Sequence, residues 1–223
     1  MRTTYRQAGF TLVEIAIVLV IIGLLLGGIL KGQEMITQAR IKNVINDFNG
    51  ITAAYASYQD RYRAIPGDDG GALTRWTLPA GPATSPTAGN GNVEGLYGAG
   101  TATPEAETRL FWWHLRQAGF IPGATNPPNI ASNQPTNAVS GMIGVETGVG
   151  ALTMGLAGLI VCSANISDKI AIAVDTQTDD QASATGSLRA ALQTASNQPI
   201  AAATFPSAYA ETGANQYLIC KGV

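Results

Sequence analysis

Residues 10–30, FTLVEIAIVLVIIGLLLGGIL, are almost wholly apolar. Twenty-one helical residues rise about 31 Å, enough to cross the hydrocarbon core of a bilayer. The preceding residues 1–9, MRTTYRQAG, are short and polar and carry Arg2 and Arg6. A basic flank ahead of a span holds that flank in the cytoplasm, which places the bulk of the chain across the membrane. A secretory signal would close with a small-x-small cleavage site after the apolar run. None closes this one, and the pattern runs on into a further helix, so the apolar segment is expected to stay in the mature protein.

Glu14 breaks the apolar pattern. A carboxylate at that depth is costly. Either it lies near the membrane interface, or it has a partner elsewhere; an isolated chain offers no obvious one. The run Gly9-Phe10-Thr11-Leu12-Val13-Glu14, after a short basic leader and before about sixteen apolar residues, resembles the type IV pilin and type II secretion pseudopilin superfamily. The resemblance implies that a prepilin peptidase cuts between Gly9 and Phe10 on the cytoplasmic side and methylates the new Phe10 amine. It further implies that Glu14 of an incoming subunit pairs with the Phe10 amine of a neighbour in the growing fibre. A carboxylate in a low-dielectric medium is relieved by a nearby cation, so such a pair acts as a register check.

The helical pattern continues past the membrane. Ile41, Val44, Ile45, Phe48, Ile51, Tyr55, Tyr58 and Tyr62 recur at three- and four-residue steps, with Lys42, Asn43, Asp47, Asn49 and Gln59 opposite. No proline occurs before Pro66, and Ile65-Pro66-Gly67 is a strong stop, so one helix is expected from Thr11 to near Arg63. Its amphipathic half needs a globular domain to lie on. Gly23 and Gly27 have the spacing that permits close helix approach in membranes, although glycine is also frequent in membrane helices for no such reason.

The expected domain plan is a cleaved leader (1–9), a transmembrane and assembly segment (10–30), the amphipathic half of the helix (31–65) and a globular head (66–223). Residues 66–107 hold no helical or strand period and read as a long variable loop; Asp68 and Asp69 are expected to form turns rather than bind metal. Residues 104–118, PEAETRLFWWHLRQA, read as a helix opened by Pro104 and stopped by Gly119, with His114 a buried structural residue. Residues 142–145, 155–162, 169–175 and 216–220 read as strands of an antiparallel sheet packed on the helix, an α+β fold whose topology follows mainly from the family resemblance.

Cys162 and Cys220 are the two cysteines, and His114 is the sole histidine, so a zinc site is not expected. They are buried thiols or one disulfide, and export favours the disulfide; a C-terminal disulfide-bounded region (162–220) is also what many type IV pilins carry. Asp175, Asp179 and Asp180 could hold calcium, as major pseudopilins do in a C-terminal loop, but their spacing fits no metal pattern and a solvated turn is the preferred reading. No cofactor is expected.

Thirteen basic and fifteen acidic side chains give a net charge of −2, which supplies no electrostatic case for nucleic acid. No nucleophile, orienting acid and histidine can be grouped, so an enzyme is not expected. An ordinary single-pass protein would need neither the Gly9-Phe10 junction nor Glu14. The expectation is a major or minor pilin, or alternatively a secretion pseudopilin. Its partners would be copies of itself, other pilins, the prepilin peptidase and an inner-membrane assembly platform. It would be held in the inner membrane before assembly and then reside in an extracellular pilus or periplasmic pseudopilus.

Overall fold

The computed structural model describes residues 9, 11–76, 88–98, 106–125, 134–148, 154–197 and 208–223. Residues 1–8 of the leader, Phe10, residues 77–87 and 99–105 of the expected variable loop, and with them Pro104 and Glu105, lie outside the described residues. The chain divides into two compact units, Met1–Ala39 and Arg40–Val223.

Helix α1 spans Leu12–Tyr62. It ends one residue before Arg63, which takes a left-handed conformation (φ 54°) of the kind that closes helices, three residues ahead of Pro66. In the first unit its apolar side chains stay exposed, from Leu12 through Ile36. In the second unit the buried positions are Ile41, Val44, Phe48, Ile51, Ala54 and Tyr58, three or four residues apart, so a single stripe enters the core.

Among the described residues four strands follow: β1 (Ile143–Gly148), β2 (Gly158–Ser167), β3 (Leu188–Gln193) and β4 (Gln216–Gly222). All pairings are antiparallel, in the order β1-β2-β4-β3. With α1 this makes the fold α+β. Strand alternation sorts side chains to two faces. Leu159, Val161, Tyr217, Ile219, Leu188 and Ala190 join the core that contains the α1 stripe. Ile160, Cys162, Ala164, Leu218, Cys220 and Ala191 form a second cluster with Tyr97, Met154 and Leu156. A register shift between Ser163 and Ile166, where Asn165 has a φ of 58°, turns Ile166 back to the first core.

The described residues also form three shorter helices: α2 (Ala72–Arg75), α3 (Glu107–Gln117) and α4 (Asp168–Thr178). Helix α3 is buried on every side from Glu107 to Arg116. Helix α4 corrects the expectation of a strand at 169–175. Ile170, Ala171, Val174 and Asp175 are buried, a helical spacing; a short apolar run such as KIAIAVD does not by itself separate strand from helix. Strand β3, LRAALQ, was not foreseen. Its Ala and Gln have little preference for strands, and pairing along the whole of β4 decides its state.

Candidate assembly site and the structures that support it

Gly9 is exposed, and a Cβ built on it meets nothing within 4 Å. Thr11 lies just ahead of α1 and Glu14 in its first turn. The Glu14 N–H donates to Thr11 Oγ1 at 3.3 Å. In return Glu14 Oε2 accepts the Thr11 N–H and the Thr11 hydroxyl, each at 2.8 Å. This is a capping box, in which the Ser/Thr ahead of a helix and the Glu three residues on satisfy each other. Within the chain the Glu14 carboxylate thus has hydrogen-bond donors in Thr11. The signal was readable in Thr11-Leu12-Val13-Glu14, whose spacing is that of the box.

Among the described residues, α1 is the one helix long and apolar enough to cross a membrane, and its apolar stretch lies wholly outside the packed core. Gly23, Gly27, Gly28 and Gly32 have open space where a side chain would stand. Among the described residues nothing requires them to be small.

The segment Ile65-Pro66-Gly67-Asp68-Asp69 fastens the C-terminal end of α1. Gly67 has a φ of 95°, and a Cβ there would lie 2.6 Å from the Glu107 carbonyl oxygen, so both conformation and space demand glycine. Its N–H donates to His114 Nδ1 at 2.9 Å, which commits that nitrogen as an acceptor. His114 is fully buried and its ring stacks on Tyr58, with centroids 6.1 Å apart. Asp68 accepts the N–H groups of Gly89, Asn90 and Gly91, a cradle of backbone amides around one carboxylate. Asp69 accepts the Tyr58 hydroxyl at 2.6 Å, the Gly71 N–H at 2.9 Å and the Arg75 guanidinium. Burial first, and the Asp69 carboxylate second, push the Tyr58 phenol far above its ordinary range. Arg75 also lies 4.7 Å from the Tyr62 ring centroid and 5.1 Å from that of Trp76.

Cys162 and Cys220 are joined by a disulfide with Cα atoms 4.0 Å apart. They are direct partners in the β2–β4 ladder, so the bond ties the two central strands on the face away from α1.

The carboxylates of Asp175, Asp179 and Asp180 each place an oxygen within 4.8 Å of the others. All three already accept from protein donors. Asp175 takes the Tyr209 hydroxyl at 2.7 Å and the Gln181 N–H at 3.0 Å. Asp179 takes the Leu188 N–H at 2.7 Å. Asp180 takes the Ala182 N–H and the Thr185 hydroxyl. Burial raises the Asp175 carboxyl above the usual range. The cluster holds the turn from α4 to β3 and fastens Tyr209.

Residues 4–30 match the family described as the prokaryotic N-terminal methylation motif, the hallmark of type IV pilins and pseudopilins. No curated protein and no solved structure matches the chain.

Proposed function

We propose that this chain, which carries the N-terminal methylation motif of type IV pilins and pseudopilins, is a structural subunit of a type IV pilus-like fibre. The observation that carries the reading is the motif's position at the head of an exposed apolar helix with Glu14 in the first turn. The long N-terminal helix and four-stranded antiparallel sheet form the α+β fold found in type IV pilins.

In this reading the apolar segment first holds the subunit in the membrane and then packs among its copies. The prepilin peptidase cuts after Gly9 and methylates the Phe10 amine. Glu14 of an incoming subunit then meets the amine of a neighbour's Phe10. The disulfide and the Ile65–Asp69 fastening keep the head folded after export.

Sheared surface filaments from the native host should contain the chain, cleaved and methylated. Its absence from every filament, with the protein resident only in the membrane, would overturn the reading. The second reading is a secretion pseudopilin, which carries the same N-terminal methylation motif. In that case the assembled chain remains periplasmic and its deletion abolishes protein secretion.

A further inference from the structure

The amphipathic half of α1 carries a glycine, Gly50, in mid-helix, where glycine is costly beside alanine. A Cβ built on it meets nothing within 4 Å. The room it leaves belongs to a cavity of about 310 Å³ bounded by α1, α3 and β1, a size at the small end for ligand sites. All of its lining lies in the second unit.

The walls are mostly apolar: Ile51 on α1, Trp112 on α3, Phe120 just beyond α3 and Ile143 on β1. Asp47, one helical turn before Ile51, stands in the same wall. It is half-buried, and among the described residues no donor or cation reaches its carboxylate. Burial pushes the carboxyl above its ordinary value, and nothing opposes the rise. Arg116 also lines the cavity, but its Nε donates to the Pro122 carbonyl at 3.3 Å and its charge gives Asp47 no relief. A carboxylate losing water beside apolar walls is best satisfied by a cation. Aromatic walls suit a cation with an organic body.

We propose that this cavity is a binding site for a small organic cation, whose ammonium pairs with Asp47 and whose apolar body lies against Ile51, Trp112, Phe120 and Ile143. Gly50 keeps the space clear. The site is separate from the apolar first unit and does not rest on the fibre-subunit reading.

Methyl NMR of the isoleucine-labelled full-length chain, held in nanodiscs of zwitterionic lipid, tests this with three probes of similar shape. They are benzylammonium, benzyl alcohol and benzoate, with affinities taken on free probe. Benzylammonium should shift the methyl signals of Ile51 and Ile143 and leave that of Ile172 on α4 in place. It should bind about tenfold more tightly than benzyl alcohol, the scale of one hydrogen bond to a charged group. Asp47→Asn should bind benzylammonium about tenfold more weakly, no better than benzyl alcohol. Gly50→Leu, which a helix favours, puts a side chain at the cavity wall. It should bind none of the probes, while the head melts no lower than in wild type. Equal binding by wild type and Asp47→Asn, benzoate binding as tight as that of benzylammonium, or undiminished binding by Gly50→Leu would each overturn the proposal. So would Ile51 and Ile143 signals that no probe moves.

Discussion

The two parts of α1 share one backbone geometry and treat apolar side chains in opposite ways. In the first unit Leu12, Leu24 and Leu30 are 87%, 74% and 67% exposed. In the second unit every position of the inward stripe from Ile41 to Tyr58 is at most 7% exposed. Burial of apolar area is worth about 25 cal/mol per Å² whatever covers it. The second stripe receives its cover from the head's own sheet and helices. The first has no cover among the described residues, and in the fibre-subunit reading membrane and then other copies supply it. Sequence period alone also tells them apart: apolar on all sides where the solvent is lipid or protein, one stripe where it is a water-facing domain.

The sharpest way to break this contrast is a pair of truncations read on the full chain in detergent micelles. Trp112→Ala, within the core that contains the α1 stripe, should cost about 3–5 kcal/mol and lower the melting temperature of the head severely. Leu25→Ala should leave that melting temperature unchanged, because Leu25 is exposed and lies in the first unit. Equal effects would show that the two parts share one stability.

Cys162→Ser removes the tie between β2 and β4. With Cys162 and Cys220 separated by 58 residues, the chain-entropy account gives a loss of about 4 kcal/mol. Denaturant unfolding checks this, and cleavage after Gly9 should be unaffected. Gly67→Ala tests the fastening at the end of α1. The added methyl meets the Glu107 carbonyl and strains a positive φ, so a loss of about 1–3 kcal/mol is expected. Hydrogen exchange should show the loss first at Gly89, Asn90 and Gly91, whose N–H groups Asp68 holds.

The smallest effect concerns pH. Burial raises the Glu146 carboxyl above its usual value, against the opposing N–H of Tyr97, which donates to it at 2.8 Å. A carboxyl raised in the folded state favours folding most at pH below the unfolded value, near 4.5, and loses that contribution as pH climbs towards the folded one. Glu146→Gln keeps an acceptor for Tyr97 and does not titrate. The variant should therefore flatten the fall in stability on going upward from about pH 4, measured by denaturant midpoints across pH. An unchanged slope would assign that dependence to other groups.

The parts of the molecule with strong periods were legible beforehand: the apolar run, the α1 stripe, α3 and the two central strands. The stop at Pro66 was legible because proline and glycine act locally. What escaped depends on partners distant in sequence. Strand β3 is a strand because β4 pairs with it, and α4 is a helix because Ile170, Ala171 and Val174 find the core on one side. The roles of Asp68 and Asp69 needed the positions of Gly89 to Gly91, Tyr58 and Arg75. Thr11 differs from these. Its partner lies three residues away, and the capping-box spacing stood in the sequence behind the more conspicuous cost of Glu14.

The central claim is that the first unit is processed and then assembled. Intact-mass analysis of the protein from sheared native filaments tests it most directly. The predicted mass lacks residues 1–9 and carries one added methyl on Phe10, with both cysteines oxidised. Filaments built from a chain that still begins at Met1, or that carries an unmethylated Phe10 at full occupancy, would contradict it.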